Sequence, residues 1–240
     1  MSSNDMRNPP SATTTTFSHT AGAERATAAL SERTSWETNK VLRQTYRLLA
    51  LTLGFSALTA SASVALNLPH PGLLLTLVGY FGLLAFTAWQ RNSALGLVGV
   101  FALTGFMGLT LGPLLSVMLT QAPSAVALAF GTTAAIFLGL SAWARSGSAP
   151  NMLGFGNFLF VGILTAFCLG LAALFLNLPT LALAVSGLFV LLMCGLILFE
   201  TQNILRGGET NYIMATVTLF VSIYNLFTSL LHIFGFLGDE

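Results

Sequence analysis

Residues 146–199 read SGSAPNMLGFGNFLFVGILTAFCLGLAALFLNLPTLALAVSGLFVLLMCGLILF, 54 consecutive positions without a charged side chain. Three further windows are free of charge: Leu48–Gln90 with 43 residues, Asn92–Ala144 with 53 and Thr210–Gly238 with 29. A helix needs roughly 20 apolar residues to cross about 30 Å of hydrocarbon. Each of the three longer windows therefore holds two spans, and the shortest holds one. Turn chemistry interrupts the long windows midway, at Asn67-Leu-Pro-His-Pro71, Gln121-Ala-Pro-Ser124 and Asn177-Leu-Pro-Thr180. Proline removes a backbone donor and pushes its predecessor out of helical geometry, so these segments read as hairpin tips. The expectation is an all-α membrane protein of seven spans, near 47–67, 72–90, 93–119, 124–144, 152–176, 180–204 and 212–237. The apolar runs are continuous instead of alternating, which argues against a membrane barrel.

Composition excludes the other broad classes. Only 7% of the 240 residues are charged, against about 25% in a soluble domain. The hydrophobic share is 55%, and ten of the 17 charges lie before Leu48. A soluble enzyme, a nucleic-acid binder and a disordered protein are all incompatible with that distribution.

Lysine and arginine set the expected orientation. Lys40, Arg43 and Arg47 precede the first span, and Arg91, Arg145 and Arg206 fall in the second, fourth and sixth connections. The other connections have none. Such alternation places the N-terminus in the cytoplasm and the C-terminus outside. Six spans with a re-entrant final hairpin is the alternative.

Residues 1–33 carry no apolar period and are expected to form a disordered cytoplasmic tail, leaving 34–240 as the transmembrane domain. No apolar core of signal-peptide type is present. Thr34 and Glu37 have the spacing of a capping box, so order is expected to begin there. Cys168 and Cys194 read as packing residues. His19, His70 and His232 match no metal spacing, and neither a metal nor another cofactor is expected. Leu66-Asn-Leu-Pro69 recurs as Leu176-Asn-Leu-Pro179, which convergent turn chemistry explains.

Polar groups enter the membrane in two places. Gly105, Gly108 and Gly112 cluster ahead of Pro113 in the third span; small residues four apart let helix backbones approach, and the proline removes an intrahelical bond and is expected to kink the helix. Packing is one reading and a hinge the other. Glu200 is the only acid within an expected span, about five residues from its cytoplasmic end. An intramembrane carboxylate is a functional candidate, although one this close to the interface can also hydrate itself. Thr218, Ser222, Asn225, Ser229 and His232 follow at helical spacing on one face of the last span. That face belongs against neighbours, either as interhelical glue or as the lining of a wet path.

At these helices the sequence resembles the Bax inhibitor-1 family. The resemblance is carried by Phe199-Glu-Thr-Gln-Asn-Ile-Leu-Arg-Gly-Gly-Glu-Thr-Asn-Tyr-Ile213, by Ile223-Tyr-Asn-Leu-Phe-Thr-Ser-Leu-Leu231 and by Thr104-Gly-Phe-Met-Gly-Leu-Thr-Leu-Gly-Pro113. Gly207-Gly-Glu-Thr-Asn-Tyr-Ile213 and Lys40-Val-Leu-Arg-Gln-Thr-Tyr46 are similar to its YccA-like bacterial branch. The resemblance implies a seven-helix bundle in the inner membrane with the last helix central. It also implies a non-enzymatic role: modulation of a membrane AAA protease of the FtsH type. The partners then expected are that protease, the lipid bilayer and a second copy of the chain, with no nucleic acid. Relatives described as pH-sensitive calcium leaks pair two aspartates on the last two helices, a proton switch built on like-charge repulsion. The first maps onto Glu200; the second maps onto Ser222, which does not ionise. A cation leak along Glu200 and the Thr218–His232 face is therefore the second functional expectation.

Overall fold

The computed structural model describes residues 13–238, and among them there is no strand. Seven α-helices follow in order: α1 Thr13–Ala65, α2 Leu73–Trp89, α3 Ala94–Gln121, α4 Pro123–Arg145, α5 Gly156–Phe175, α6 Pro179–Leu205 and α7 Tyr212–Gly238. A 3-10 turn, Leu153–Phe155, leads into α5. Six helices are long and apolar enough to cross a membrane; α2 has 17 residues and is the shorter one.

The turn residues act as the sequence suggested. Pro123 and Pro179 open α4 and α6, where the missing N–H is not needed. Asn67 and Asn177 are both left-handed, with φ of 49° and 51°. Behind each, the chain closes the same way: Leu68 N–H donates to Ser63 O at 3.0 Å, and Leu178 N–H to Ala173 O at 3.0 Å. These are matching Schellman ends, which satisfy carbonyls that a helix terminus would otherwise leave bare. The repeated Leu-Asn-Leu-Pro is thus one capping device used twice. Gly207, with φ of 73°, closes α6 in the same manner.

The start of α1 differs from expectation. It begins at Thr13 rather than Thr34, so Thr34 lies inside the helix and is not its cap. Ala21, Ala23, Ala26, Ala28, Ala29 and Leu30 are strong helix formers, and no proline lies between Pro10 and Pro69. Propagating a helix already nucleated by the span needs no new nucleus. Residues 1–12, the rest of the expected tail, lie outside the described residues.

Two apolar clusters hold the helices together. One joins Leu48 and Leu49 of α1, Val100 and Leu103 of α3, and Leu219 and Phe220 of α7. The other joins Ala129 of α4, Ala166 of α5, Met193 and Ile197 of α6, and Leu226 and Leu231 of α7. Helix α7 packs on α1, α3, α4 and α6, whereas α5 packs on α6 and α2 on α3. Phe160 of α5 and Leu191 of α6 point outward, as expected where hydrocarbon is the solvent.

Candidate functional site

The α6–α7 hairpin is built by polar groups that the apolar pattern does not reveal. Gln202 reaches from α6 to the α4–α5 connection: its Nε2 donates to Pro150 O at 2.7 Å, and its Oε1 accepts from Met152 N at 2.9 Å. One turn on, Arg206 Nη1 donates to Asn151 Oδ1 at 3.1 Å. Asn211 caps α7, its Oδ1 accepting from the N–H groups of Ile213 and Met214 at 3.0 and 3.1 Å. Its Nδ2 donates to Arg91 O and Asn92 Oδ1, both at 2.9 Å. These bonds tie the α2–α3, α4–α5 and α6–α7 connections together at one end of the bundle. Sequence reasoning missed Gln202 and Asn211. For Asn211 a signal was present, since an asparagine just ahead of an apolar helical run is an N-cap pattern.

Glu200 is 5% exposed, and its Oε1 has no hydrogen-bond partner. Three other buried polar atoms share this condition: Thr45 Oγ1, Tyr46 Oη and Ser141 Oγ. All four lie within about two turns of the membrane end marked by Arg47, Arg145 and Arg206. A buried polar atom without a partner costs about 1–3 kcal/mol. This layer is where the bundle is least well satisfied.

The α7 face behaves differently. Ser222 is fully buried, yet its hydroxyl donates to Thr218 O of its own helix at 2.7 Å. Asn225 Nδ2 likewise donates to Val221 O at 2.8 Å. Ser229 is buried, Thr218 half-buried and His232 exposed. Of the five, His232 is the one seen bonding across helices, sharing a 2.9 Å hydrogen bond with Ser186 of α6. Back-bonding of this kind satisfies the group locally and links nothing.

The glycine cluster faces α1. Phe55 covers Gly105, Ser56 and Thr59 cover Gly108, and Ser63 covers Gly112. A side chain at any of the three would overlap its neighbour. Pro113 lies inside α3, which continues to Gln121. The carbonyl its ring deprives of a partner is that of Leu109, four residues back. Ser63 Oγ donates to that carbonyl at 2.9 Å. Among the described residues, no three His, Cys, Asp or Glu side chains come together as a metal site.

An all-helical bundle with six membrane-length apolar helices and a polar α6–α7 hairpin defines a multispan membrane protein. Residues 38–239 match the family model described as Inhibitor of apoptosis-promoting Bax1, and the chain belongs to this Bax inhibitor-1 family. It is 48% identical over 219 residues to the Modulator of FtsH protease YccA of Escherichia coli K12, covering 90% of this chain and 100% of that protein. The Inner membrane protein YccA of Escherichia coli O6:H1 matches to the same extent. An uncharacterized protein of Pseudomonas aeruginosa is 47% identical over 206 residues, covering 85% of this chain and 92% of its own length.

Proposed function

We propose that this protein binds and restrains a membrane AAA protease of the FtsH type in a bacterial inner membrane, without catalysis of its own. The observation that carries the reading is 48% identity across the full length of a protein named as a modulator of that protease. The polar segment ahead of the first span offers the protease a handle, and the packed helices behind it resist extraction. Such a protein would occupy the protease as a slow substrate. The test is affinity capture from native membranes, combined with turnover of another membrane substrate after deletion of residues 1–33. Co-purification and faster turnover support the proposal. Failure to co-purify, with turnover unchanged, overturns it.

Several finer points belong to the same reading. Helix α2, at 17 residues, is about 25 Å long and sits at the short end of spanning helices, which supports it as the seventh span. The arginine-bearing connections gathered at one end support a cytoplasmic N-terminus and a periplasmic C-terminus. The four neighbours of α7 and its share in both apolar clusters support its place as the central helix. A second reading, a cation leak, draws on one observation: the unpaired, buried oxygen of Glu200. It requires calcium flux into proteoliposomes that falls on Glu200→Gln, and flux equal to that of empty liposomes excludes it.

A further inference from the structure

Helices α1 and α4 both flank α7, but a cleft separates them. They are bridged at Tyr46, whose ring lies 5.9 Å from that of Phe137 and carries the Arg145 guanidinium at 4.6 Å. To one side of this bridge lies an apolar cavity of about 730 Å³ between α1 and α4, backed by Leu111, Leu115 and Leu119 of α3 and by Tyr224 and Phe227 of α7. To the other lies a cavity of about 1080 Å³ whose lining includes Lys40, Arg43, Arg47 and Arg145, with no carboxylate among the described residues that line it.

The two cavities are halves of one groove. Lys40, Arg43, Arg47, Ala50, Gly54 and Ala57 recur at alternating spacings of three and four, so they form a single face of α1. The first four line the basic half and the last two the apolar half. On α4, Leu138 precedes Arg145 by seven residues and shares its face in the same way. One continuous surface thus changes from apolar to cationic where the helices leave the hydrocarbon. Gly54, Ala57, Phe130 and Leu138 are exposed, so the apolar half opens sideways toward lipid.

The geometry points to a binding site for an anionic phospholipid, with an acyl chain in the α1–α4 cleft and the phosphate on the Lys40/Arg43/Arg47/Arg145 cluster. Charge complementarity selects the headgroup, since basic pockets between membrane helices attract anionic lipids. An apolar cleft that opens toward lipid and runs into a cationic end matches an amphiphile with an acyl chain and an anionic head.

The test uses the full chain in detergent, with native mass spectrometry after addition of phosphatidylglycerol and phosphatidylcholine of matched acyl chains. The wild-type protein is expected to retain phosphatidylglycerol preferentially. Each cation removed is expected to weaken that retention about fivefold, so R145Q loses about fivefold and R43Q/R47Q/R145Q roughly a hundredfold. R91Q, away from the groove, changes nothing. A57W fills the apolar half and lowers phosphatidylglycerol retention to the phosphatidylcholine level. Excess inorganic phosphate does not compete. If the triple variant fails to insert, R145Q decides, because it keeps the cations ahead of the first span. Equal retention of the two lipids, wild-type behaviour of R145Q or A57W, or displacement by inorganic phosphate overturns the proposal. So does an A57W variant that breaks a protein complex yet retains lipid, since that assigns the cleft to a helix.

Discussion

Two polar stripes cross this bundle, and they do opposite things. Along the α1–α3 contact, Ser56, Thr59 and Ser63 meet Gly105, Gly108 and Gly112, and the Ser63 hydroxyl crosses to the Leu109 carbonyl. Along α7, Ser222 and Asn225 turn back onto carbonyls of their own helix. The difference lies in backbone distance. Glycines bring the α3 backbone within reach of a serine on α1, and Pro113 leaves a carbonyl there to be reached. Helix α7 has no glycine before Gly235; its Thr216 hydroxyl approaches the Thr45 carbonyl of α1 only at 3.4 Å while bonding Tyr212 O of its own helix at 2.7 Å. A short side-chain hydroxyl in a membrane helix makes a close link to a neighbouring backbone where small residues opposite it allow the approach.

The contrast breaks most visibly at Gly108. Gly108→Leu places a side chain against the Ser56 carbonyl and Thr59, where backbone and not a flexible tip must move. A loss of about 3 kcal/mol is expected, read as a collapse of folded yield in detergent. A wild-type melting temperature would mean that α1 and α3 are free to separate. Ser63→Ala strips the Leu109 carbonyl of its donor and is expected to cost about 1.5 kcal/mol. The decisive measurement is a double-mutant cycle. Pro113→Ala restores an N–H to that carbonyl, so the Ser63→Ala penalty should shrink in its presence. Additive penalties would show that the two residues do not share the carbonyl.

Glu200 gives a smaller effect of opposite sign. One of its two carboxylate oxygens is buried without a hydrogen-bond partner, which costs the bundle stability. Glu200→Gln keeps the shape and removes the charge, and is expected to leave thermal stability unchanged or raise it by about 1 kcal/mol. A loss of that size would mean that the carboxylate is held by partners in the membrane.

Spans and hairpin tips were legible because a charge-free window and a proline turn are local signals that tertiary packing rarely overrides. The Asn67 and Asn177 caps were visible as an echo, although their shared left-handed geometry was not. The reach of α1 back to Thr13 was not legible, because Ala, Ser and Thr without periodicity resemble a tail. Adjacency to a nucleated span, not composition alone, decides such a segment. Glu200 stood out as a lone acid. The bare Oε1 of its carboxylate is a property of three dimensions, as are the Ser63–Leu109 bond and the Gln202 clamp, which join residues 46 and 50 or more positions apart.

Ser222 supplies the smallest effect and the sharpest contrast with Ser63. Both are buried serines on membrane helices, and a count of polar residues would treat them alike. The Ser222 hydroxyl bonds Thr218 O, a carbonyl that the α7 backbone already engages. Ser222→Ala therefore removes a redundant bond and a methyl-sized volume, and a change below about 0.5 kcal/mol is expected. Thermal melts of Ser222→Ala and Ser63→Ala, measured side by side in one detergent, test this directly. Equal losses would mean that α7 is held by its hydroxyls after all. A loss confined to Ser63→Ala leaves α7 held by Leu219, Phe220, Leu226 and Leu231, with its serines free to change without loosening the bundle.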